Sequence, residues 1–181
     1  MAADVNVLTF IASGGRLGPM RARPATLTDA AAIAAIYNDG IDDRVATFET
    51  AHRTEDEVLA WFTGTHPIVV VEEAGVVVAF ASTSLYRPRA CYRGIAEFSV
   101  YVARTARRRG AGRAAMLALI DASAEAGFWK LVSRVFVENA SSRALLASVG
   151  FREVGLYERH AQLDGAWKDV VIVERLLEPR R

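Results

Sequence analysis

A β-branched strand, a basic glycine turn and an amphipathic helix follow one another in the middle of the chain. Residues 95–102 alternate in polarity, so Glu97 is predicted on the face opposite the apolar stripe. Residues 107–113 read Arg-Arg-Arg-Gly-Ala-Gly-Arg, and apolar residues at helical spacing follow from Met116. The two glycines let a ligand approach the backbone, and a helix start leaves N–H groups without acceptors. This unit predicts a phosphate cradle.

The glycine spacing of the turn excludes the two commonest nucleotide motifs. The third glycine of the dinucleotide fingerprint is absent, and so is the Gly-Lys-Ser/Thr of a P-loop. A nucleotide hydrolase is therefore not supported. The alternative to a phosphate cradle is an arginine-rich helix start that is simply solvated.

The remaining pattern predicts a mixed α/β domain over residues 20–181. Residues 1–19 end in a glycine-rich break and are read as an N-terminal extension, or equally as an alternative start or an expression remnant. Thr54 and Glu57 have capping-box spacing, and residues 72–75 are predicted as a hairpin turn. Strands are predicted at 21–25, 68–71, 76–81, 131–137, 151–157 and 169–176, and helices starting near 28, 55 and 141.

Composition limits the partners. With 22 Lys and Arg against 21 Asp and Glu, the net charge of +1 disfavours nucleic-acid binding. Cys91 is the only cysteine, so no intramolecular disulfide can form and a cytoplasmic location is expected. No apolar run approaches the roughly 20 residues of a membrane span. The three histidines lack metal-ligand spacing, so no metal is expected.

Motifs along residues 20–177 resemble the GNAT superfamily of N-acetyltransferases, and most closely the phosphinothricin acetyltransferases and related amino-acid acetyltransferases. The resemblance starts from the turn at 107–112 and from Asn139, which leads into a helix ending at Gly150. Further matching motifs are Ile36-Tyr37-Asn38, Phe48, Arg89-x-x-Tyr92, Glu97-x-x-Val100-Tyr101-Val102 and Trp167-x-Asp169.

This resemblance implies a twisted, mostly antiparallel sheet flanked by helices and splayed where acetyl-CoA, the acetyl donor, binds. It implies that the main chain of the strand orients the thioester and that N–H groups of the turn hold the diphosphate. The residues implied to bind acetyl-CoA are Val100, Tyr101, Val102, Arg107, Arg108, Arg109, Gly110, Ala111, Gly112, Arg113, Asn139, Ser142 and Ser148.

Glu97 is the candidate catalytic base. An alkylamine is mostly protonated near neutral pH, so a base must remove a proton for the nitrogen to attack. Glu97 is the one carboxylate of residues 95–102. The alternative is a solvent-facing residue or an ion-pair partner of Arg89 or Arg93.

The acceptor is expected to be a small amine with an acidic group. The resemblance places Arg89 and Tyr92, with Arg87 as a third, where the acidic end of the substrate is recognised, and a guanidinium binds such an oxyanion in two places. Phe48 and Trp167 are candidate apolar walls, or alternatively core residues. The predicted activity is acetylation of the amino group of a phosphinothricin-like or methionine sulfoximine-like amino acid.

Two departures from this reading stay open. Acetylation of a protein N-terminus or another amine is the alternative enzyme activity. A non-catalytic acyl-CoA sensor is the alternative from another class, because Leu146 stands where the family has a His or Tyr and cannot donate a proton. A homodimer is expected from the resemblance alone.

Overall fold

Seven strands and four α-helices make up the computed structural model, which describes residues 18–178. Most of the predicted extension, residues 1–17, lies outside this range. In chain order the elements are β1 (Arg21–Pro24), α1 (Ala30–Asp42), α2 (Glu55–Leu59), β2 (Ile68–Glu73), β3 (Val76–Leu85), β4 (Ile95–Val102), α3 (Ala111–Glu125), β5 (Lys130–Phe136), α4 (Ala140–Ser148), β6 (Arg152–Leu163) and β7 (Ala166–Leu176).

The strands form one sheet in the order β1-β2-β3-β4-β5-β7-β6. Every neighbouring pair is antiparallel except β4 and β5. These two parallel strands pair only over Ile95–Glu97 and residues 130–132, and beyond that point no pairing joins them. The predicted mostly antiparallel fold, splayed in the middle, is confirmed.

Alternation along the strands distributes the core over both faces of the sheet. Val69 and Val71 pack in the cluster that contains Met116 and Leu119 of α3, whereas Val70 packs with Ile33 of α1. Each of these six side chains is at most 1 % exposed. The helices therefore cover opposite faces, with α1 and α2 on one and α3 and α4 on the other.

Local signals set the element boundaries. The predicted capping box is confirmed, since Glu57 N donates to Thr54 Oγ1 at 3.2 Å and Thr54 N donates to Glu57 Oε2 at 2.8 Å. The predicted four-residue hairpin turn is wrong, because the turn holds only Ala74 and Gly75. Both have positive φ, +51° and +80°, which suits a two-residue hairpin between right-twisted strands. β2 and β3 are correspondingly longer than predicted.

In residues 18–178, no helix is long and apolar enough to cross a membrane. Two cavities open where β4 and β5 separate, and many of the candidate functional residues line them.

Candidate active site

The first cavity, of about 550 Å³, occupies the gap between the diverging strands. Residues 98–102 of β4 form one wall, and residues 133–135 of β5 form the opposite wall. The turn before α3 and the start of α4 close its sides. Because unpaired strand edges leave backbone N–H and C=O groups without partners, the gap offers main-chain hydrogen bonds to a bound molecule. The residues predicted from the β4 motif, Val100, Tyr101 and Val102, all line it.

The start of α3 supplies unpaired amides to this cavity. Gly110 is the N-cap residue, with φ of +94°, and offers no side chain to cap the helix. Ala114 N is the first amide of the helix to bond back, to Gly110 O at 3.0 Å. The amides of residues 111–113 therefore have no intrahelical acceptor. A helix end of this kind attracts anions, and it lies where the sequence predicts a phosphate cradle.

Five residues of the turn that were predicted to bind acetyl-CoA line the cavity: Arg107, Arg108, Gly110, Gly112 and Arg113. The other two residues of the turn have their side chains elsewhere. Arg109 forms an ion pair with the buried Glu73 of β2, and Ala111 is 1 % exposed in the core. Only the backbone of these two residues is positioned to contribute.

Arg107 is held in place by an acidic residue that sequence reasoning missed. Asp43 lies just after α1 and lines the first cavity. Its carboxylate accepts from Arg107 Nη2 at 2.5 Å and from Arg104 Nη2 at 2.8 Å. Partial burial raises the pKa of Asp43, but the two arginines outweigh this and hold it below its ordinary value. These ion pairs connect the end of α1 to the turn before α3.

Asn139 and Ser142 also line the first cavity. Asn139 caps α4, accepting from Ser142 N at 3.0 Å, and its Nδ2 donates to Val45 O at 3.0 Å. Both polar atoms of Asn139 are thus engaged within the protein. Ser148 does not line the cavity, and its hydroxyl donates to Leu145 O at 2.7 Å. Leu146 lines it as a buried apolar residue.

The second cavity, of about 350 Å³, lies on the sheet face that carries Glu97. Alternate residues of β4 and β5 form its floor, and Tyr86 and Arg87 of the loop after β3 form part of its rim. Ser133 and Arg134 line both cavities, so the two meet there. The complete lining is Tyr86, Arg87, Ile95, Glu97, Lys130, Val132, Ser133, Arg134, Tyr157, Ile172 and Glu174.

Glu97 forms an ion pair with Arg134 Nη2 across the open end of the β4–β5 pairing. The expected alternative partners, Arg89 and Arg93, do not bind it. Arg93 instead lies over the Trp129 ring, 6.0 Å from its centroid. The Glu97 side chain is 27 % exposed, so it is reachable from the second cavity.

The predicted acceptor-binding residues are only partly brought together. Arg87 lines the second cavity, whereas Arg89 is exposed outside it. Tyr92 packs edge-on against Tyr86, with ring centroids 5.7 Å apart, and so lies behind the cavity rim.

The two aromatic residues predicted as apolar walls line neither cavity. Phe48 packs edge-on against the buried Phe136, with centroids 4.8 Å apart, which matches its alternative reading as a core residue. Trp167 on β7 is 55 % exposed. Neither position supports a contact with an acceptor held beside Glu97.

Arg134, Lys130 and Glu174 are the charged cavity residues that sequence reasoning missed. The available signal was an arginine within the otherwise apolar strand predicted at 131–137. Lys130 donates to Glu174 at 2.7 Å, and this bond, with that from Arg152, holds the pKa of Glu174 below its ordinary value. In residues 18–178 no group of three or more His, Cys, Asp or Glu residues could hold a metal ion.

Comparison with known proteins places the whole arrangement in context. The L-methionine sulfoximine/L-methionine sulfone acetyltransferase of Pseudomonas aeruginosa is 32 % identical over 164 residues, 88 % of this chain and 95 % of the relative. A phosphinothricin acetyltransferase from Sinorhizobium meliloti, solved in complex with acetyl-CoA, has a TM-score of 0.81 at 31 % identity, covering 87 % of this chain and 88 % of that one.

A ribosomal-protein-alanine N-acetyltransferase from Brucella melitensis is also similar, with a TM-score of 0.82 at 33 % identity over 87 % of this chain and 99 % of that one. The model of the acetyltransferase (GNAT) family matches residues 33–151. This range includes β4 and β5, which form walls of both cavities, and the turn between β4 and α3. The chain therefore belongs to the acetyltransferase (GNAT) family.

Proposed function

We propose that this protein transfers the acetyl group of acetyl-CoA directly to the amino group of a small amino-acid-like acceptor. The observation that carries the proposal is the meeting of two cavities at Ser133 and Arg134, beside Glu97. One cavity ends at unpaired helix amides and basic side chains, and the other contains a carboxylate. A donor and an amine bound in the two would meet next to a base.

The residues of the first cavity fit the phosphate end of acetyl-CoA. A Cβ built at Gly110 would meet no atom within 4 Å, so its surface is open to a bulky anion. The N–H groups of residues 111–113 and the side chains of Arg108 and Arg113 would hold the diphosphate. The backbone at 100–102 would hold the extended arm, because its edge is not paired with β5.

When bound, acetyl-CoA supplies a thioester whose carbonyl carbon can accept an amine. Glu97 receives the proton that the ammonium group loses, directly or through water, so that the nitrogen lone pair is free. A C–N bond then forms, the C–S bond breaks, and the second proton that the nitrogen loses goes to the released thiolate or to water. No general acid is assigned. The pKa of a thiol is about 8.5, so the thiolate can leave without being protonated. The N–H groups of β4 orient and polarise the reacting carbonyl.

Acceptor specificity rests on charge. The names of two relatives refer to phosphinothricin and to methionine sulfoximine or sulfone, all amino-acid-like amines. A cationic polyamine would be repelled by Arg87, which lines the second cavity and has no carboxylate partner among residues 18–178. Arg89 and Tyr92 remain proposed only as a wider entrance to the site, and Phe48 and Trp167 as more distant walls.

A second candidate is acetylation of a protein N-terminus. The Brucella relative named for ribosomal-protein alanine, at a TM-score of 0.82, favours it specifically. An N-terminal amine of a protein would present no free carboxylate beside its amine, so the two candidates differ in what they offer Arg87.

We also infer a single acetyltransferase domain over residues 20–181 that forms a homodimer in the cytoplasm. β6 is the last strand of the sheet, and it exposes Val154, Leu156 and Tyr157. Such an apolar sheet edge is suited to a second copy of the chain. Cys91, the single cysteine, is free and exposed, as is common in a reducing compartment.

Thiol release from acetyl-CoA tests the function. The panel should contain phosphinothricin, methionine sulfoximine, other amino acids, a polyamine and a short peptide with N-terminal alanine. We expect release with the amino acids and little with the polyamine. Peptide-dependent release exceeding that with every amino acid would favour the second candidate. Binding of CoA without release for any acceptor would overturn the proposal in favour of a sensor.

A further inference from the structure

Arg134 is the charged residue that joins the two cavities, and neither the motifs nor the resemblance singled it out. It projects from β5 on the same face as Val132 and Lys130, two and four residues earlier, with which it lines the second cavity. It also lines the first cavity, at the point where β4 and β5 have ceased to pair. A group at this junction faces both the donor and the acceptor.

Both carboxylates that line the second cavity have a cationic partner, but one of its arginines has no carboxylate partner among residues 18–178. Both lining carboxylates are paired, Glu97 with Arg134 and Glu174 with Lys130. Arg87 pairs with no carboxylate of residues 18–178, and its guanidinium lies over the Tyr86 ring at 5.4 Å from the centroid. The cavity therefore presents more positive charge than its own carboxylates neutralise.

Arg134 has donors left over for a ligand. A guanidinium has five N–H donors in a planar fork, and Arg134 gives one nitrogen, Nη2, to Glu97. No other hydrogen-bond acceptor for it is found within the part of the chain that the structure describes. Its side chain is 41 % exposed, so the remaining donors are reachable from solvent in the cavity.

We propose that Arg134 is a specificity-determining residue that binds the carboxylate of the acceptor while it holds Glu97 beside the acceptor's amine. The inference rests on the proposed amino-acid acetylation. In an α-amino acid the two groups are separated by a single carbon. One guanidinium that contacts both the base and the acceptor carboxylate therefore sets the amine next to Glu97. Arg87, which lines the same cavity, supplies the second positive charge.

The test compares an amino acid with its own amide. Methionine sulfone and methionine sulfone amide have the same amine and side chain, but only the first carries a carboxylate. The measured quantity is the ratio of kcat/KM for the acid to kcat/KM for the amide. This ratio cancels any effect that a substitution has on Glu97, because both acceptors need the same base.

For Arg134→Gln we expect the ratio to fall by about tenfold or more, as is typical when one charged partner of a hydrogen bond is removed. Arg134→Lys keeps the charge without the fork, and we expect a smaller fall. The matched control is Arg152→Gln, which removes an exposed arginine from the neighbouring Glu174 and does not line the cavity. We expect that ratio to stay unchanged.

Each outcome decides between separate claims. An unchanged ratio in both Arg134 variants, with coenzyme A binding and melting temperature intact, overturns the role of Arg134 and leaves the acetylation standing. Equal use of acid and amide by the unmodified protein overturns it as well. If none of the acceptors in the panel gives thiol release, the proposed function itself is overturned. If Arg134→Gln does not fold, the lysine variant decides by the same ratio.

Discussion

The two cavities are built from different materials. The first is lined by backbone edges, three glycines and a helix N-terminus, and it presents directional N–H groups whatever the neighbouring side chains are. The second is lined by ionised side chains from β4, β5 and β7 and by the loop after β3. The contrast teaches that donor binding in such a chain depends on local conformation, whereas acceptor binding depends on which distant side chains the sheet brings together.

The largest effect should come from Glu97, the proposed base in the second cavity. Glu97→Gln keeps the shape of the side chain but removes its ability to take a proton, so we expect kcat to fall by about 10²–10⁴-fold. Coenzyme A affinity should stay the same, since the donor lies in the other cavity. Steady-state rates between pH 6 and pH 9 check this, and an unchanged rate across that range removes Glu97 from the mechanism.

Filling the first cavity should produce the opposite pattern. A Cβ at Gly112 would already lie 3.0 Å from Leu145 Cδ2 and 3.3 Å from Val102 Cγ2, so Gly112→Leu must extend into the cavity. We expect coenzyme A affinity to fall by about 10–150-fold, the equivalent of one hydrogen bond to a charged group. Calorimetry measures this. Gly155→Leu is the control, because nothing lies within 4 Å of a Cβ there.

The end at which β4 and β5 are paired should affect the stability of the fold. Gly94 O accepts from Trp129 N at 2.8 Å and from Lys130 N at 3.2 Å, and a Cβ at Gly94 would lie 1.9 Å from the Trp129 ring. We expect Gly94→Ala to lower the free energy of unfolding by about 1–3 kcal/mol through overpacking. Denaturant titration tests it.

The overpacking interpretation has its own control. In a Trp129→Ala background the ring is gone, so the same Gly94→Ala change should cost much less. An equal cost in both backgrounds would show that the ring is not the cause.

A smaller effect is expected far from both cavities. Asp29, 6 % exposed, accepts from Arg23 at 2.7 and 2.8 Å, and these bonds lower the pKa of Asp29 from 3.8 to about 2. Since the native pKa is depressed, this stability is present above pH 3.8 and is lost as pH falls towards 2. We expect Asp29→Asn to cost about 2 kcal/mol at neutral pH, with both KM values unchanged.

Thermal or denaturant unfolding at several pH values measures this difference. The control is Asp164→Asn, because the Asp164 side chain is 58 % exposed and its contact with Arg44 is 3.3 Å long. A change in either KM for Asp29→Asn would mean that this edge of the sheet is coupled to the cavities after all.

The parts that sequence predicts well are those carried by neighbouring residues. Alternation at 95–102 predicted the strand and the face of Glu97, and the glycines of the turn predicted a helix start near Gly112, which the structure places at residue 111. The predicted position of the hairpin turn between β2 and β3 was less accurate. The turn at Ala74 depends on a positive φ in a non-glycine residue, which no local pattern announces.

The long-range pairs could not be predicted in the same way. Glu97 and Arg134 are 37 residues apart, and Asp43 and Arg107 are 64 residues apart. Each pair exists because separate elements become neighbours through the sheet. Arg89 and Tyr92 were placed by motif alone, and in the structure they lie at the 3-10 turn of residues 90–92 and do not line the cavity that Arg87 lines.

The amino-acid sequence by itself determined the order of strands and helices, the uncapped helix start and the carboxylate that is the candidate base. These features follow from hydrophobic period, glycine conformation and the chemistry of single residues, all of which act over a few positions of the chain. Only the tertiary structure decided which guanidinium faces that carboxylate. Side-chain pairing across strands is set by the register and by the divergence of β4 from β5, and both arise only when the whole sheet is assembled.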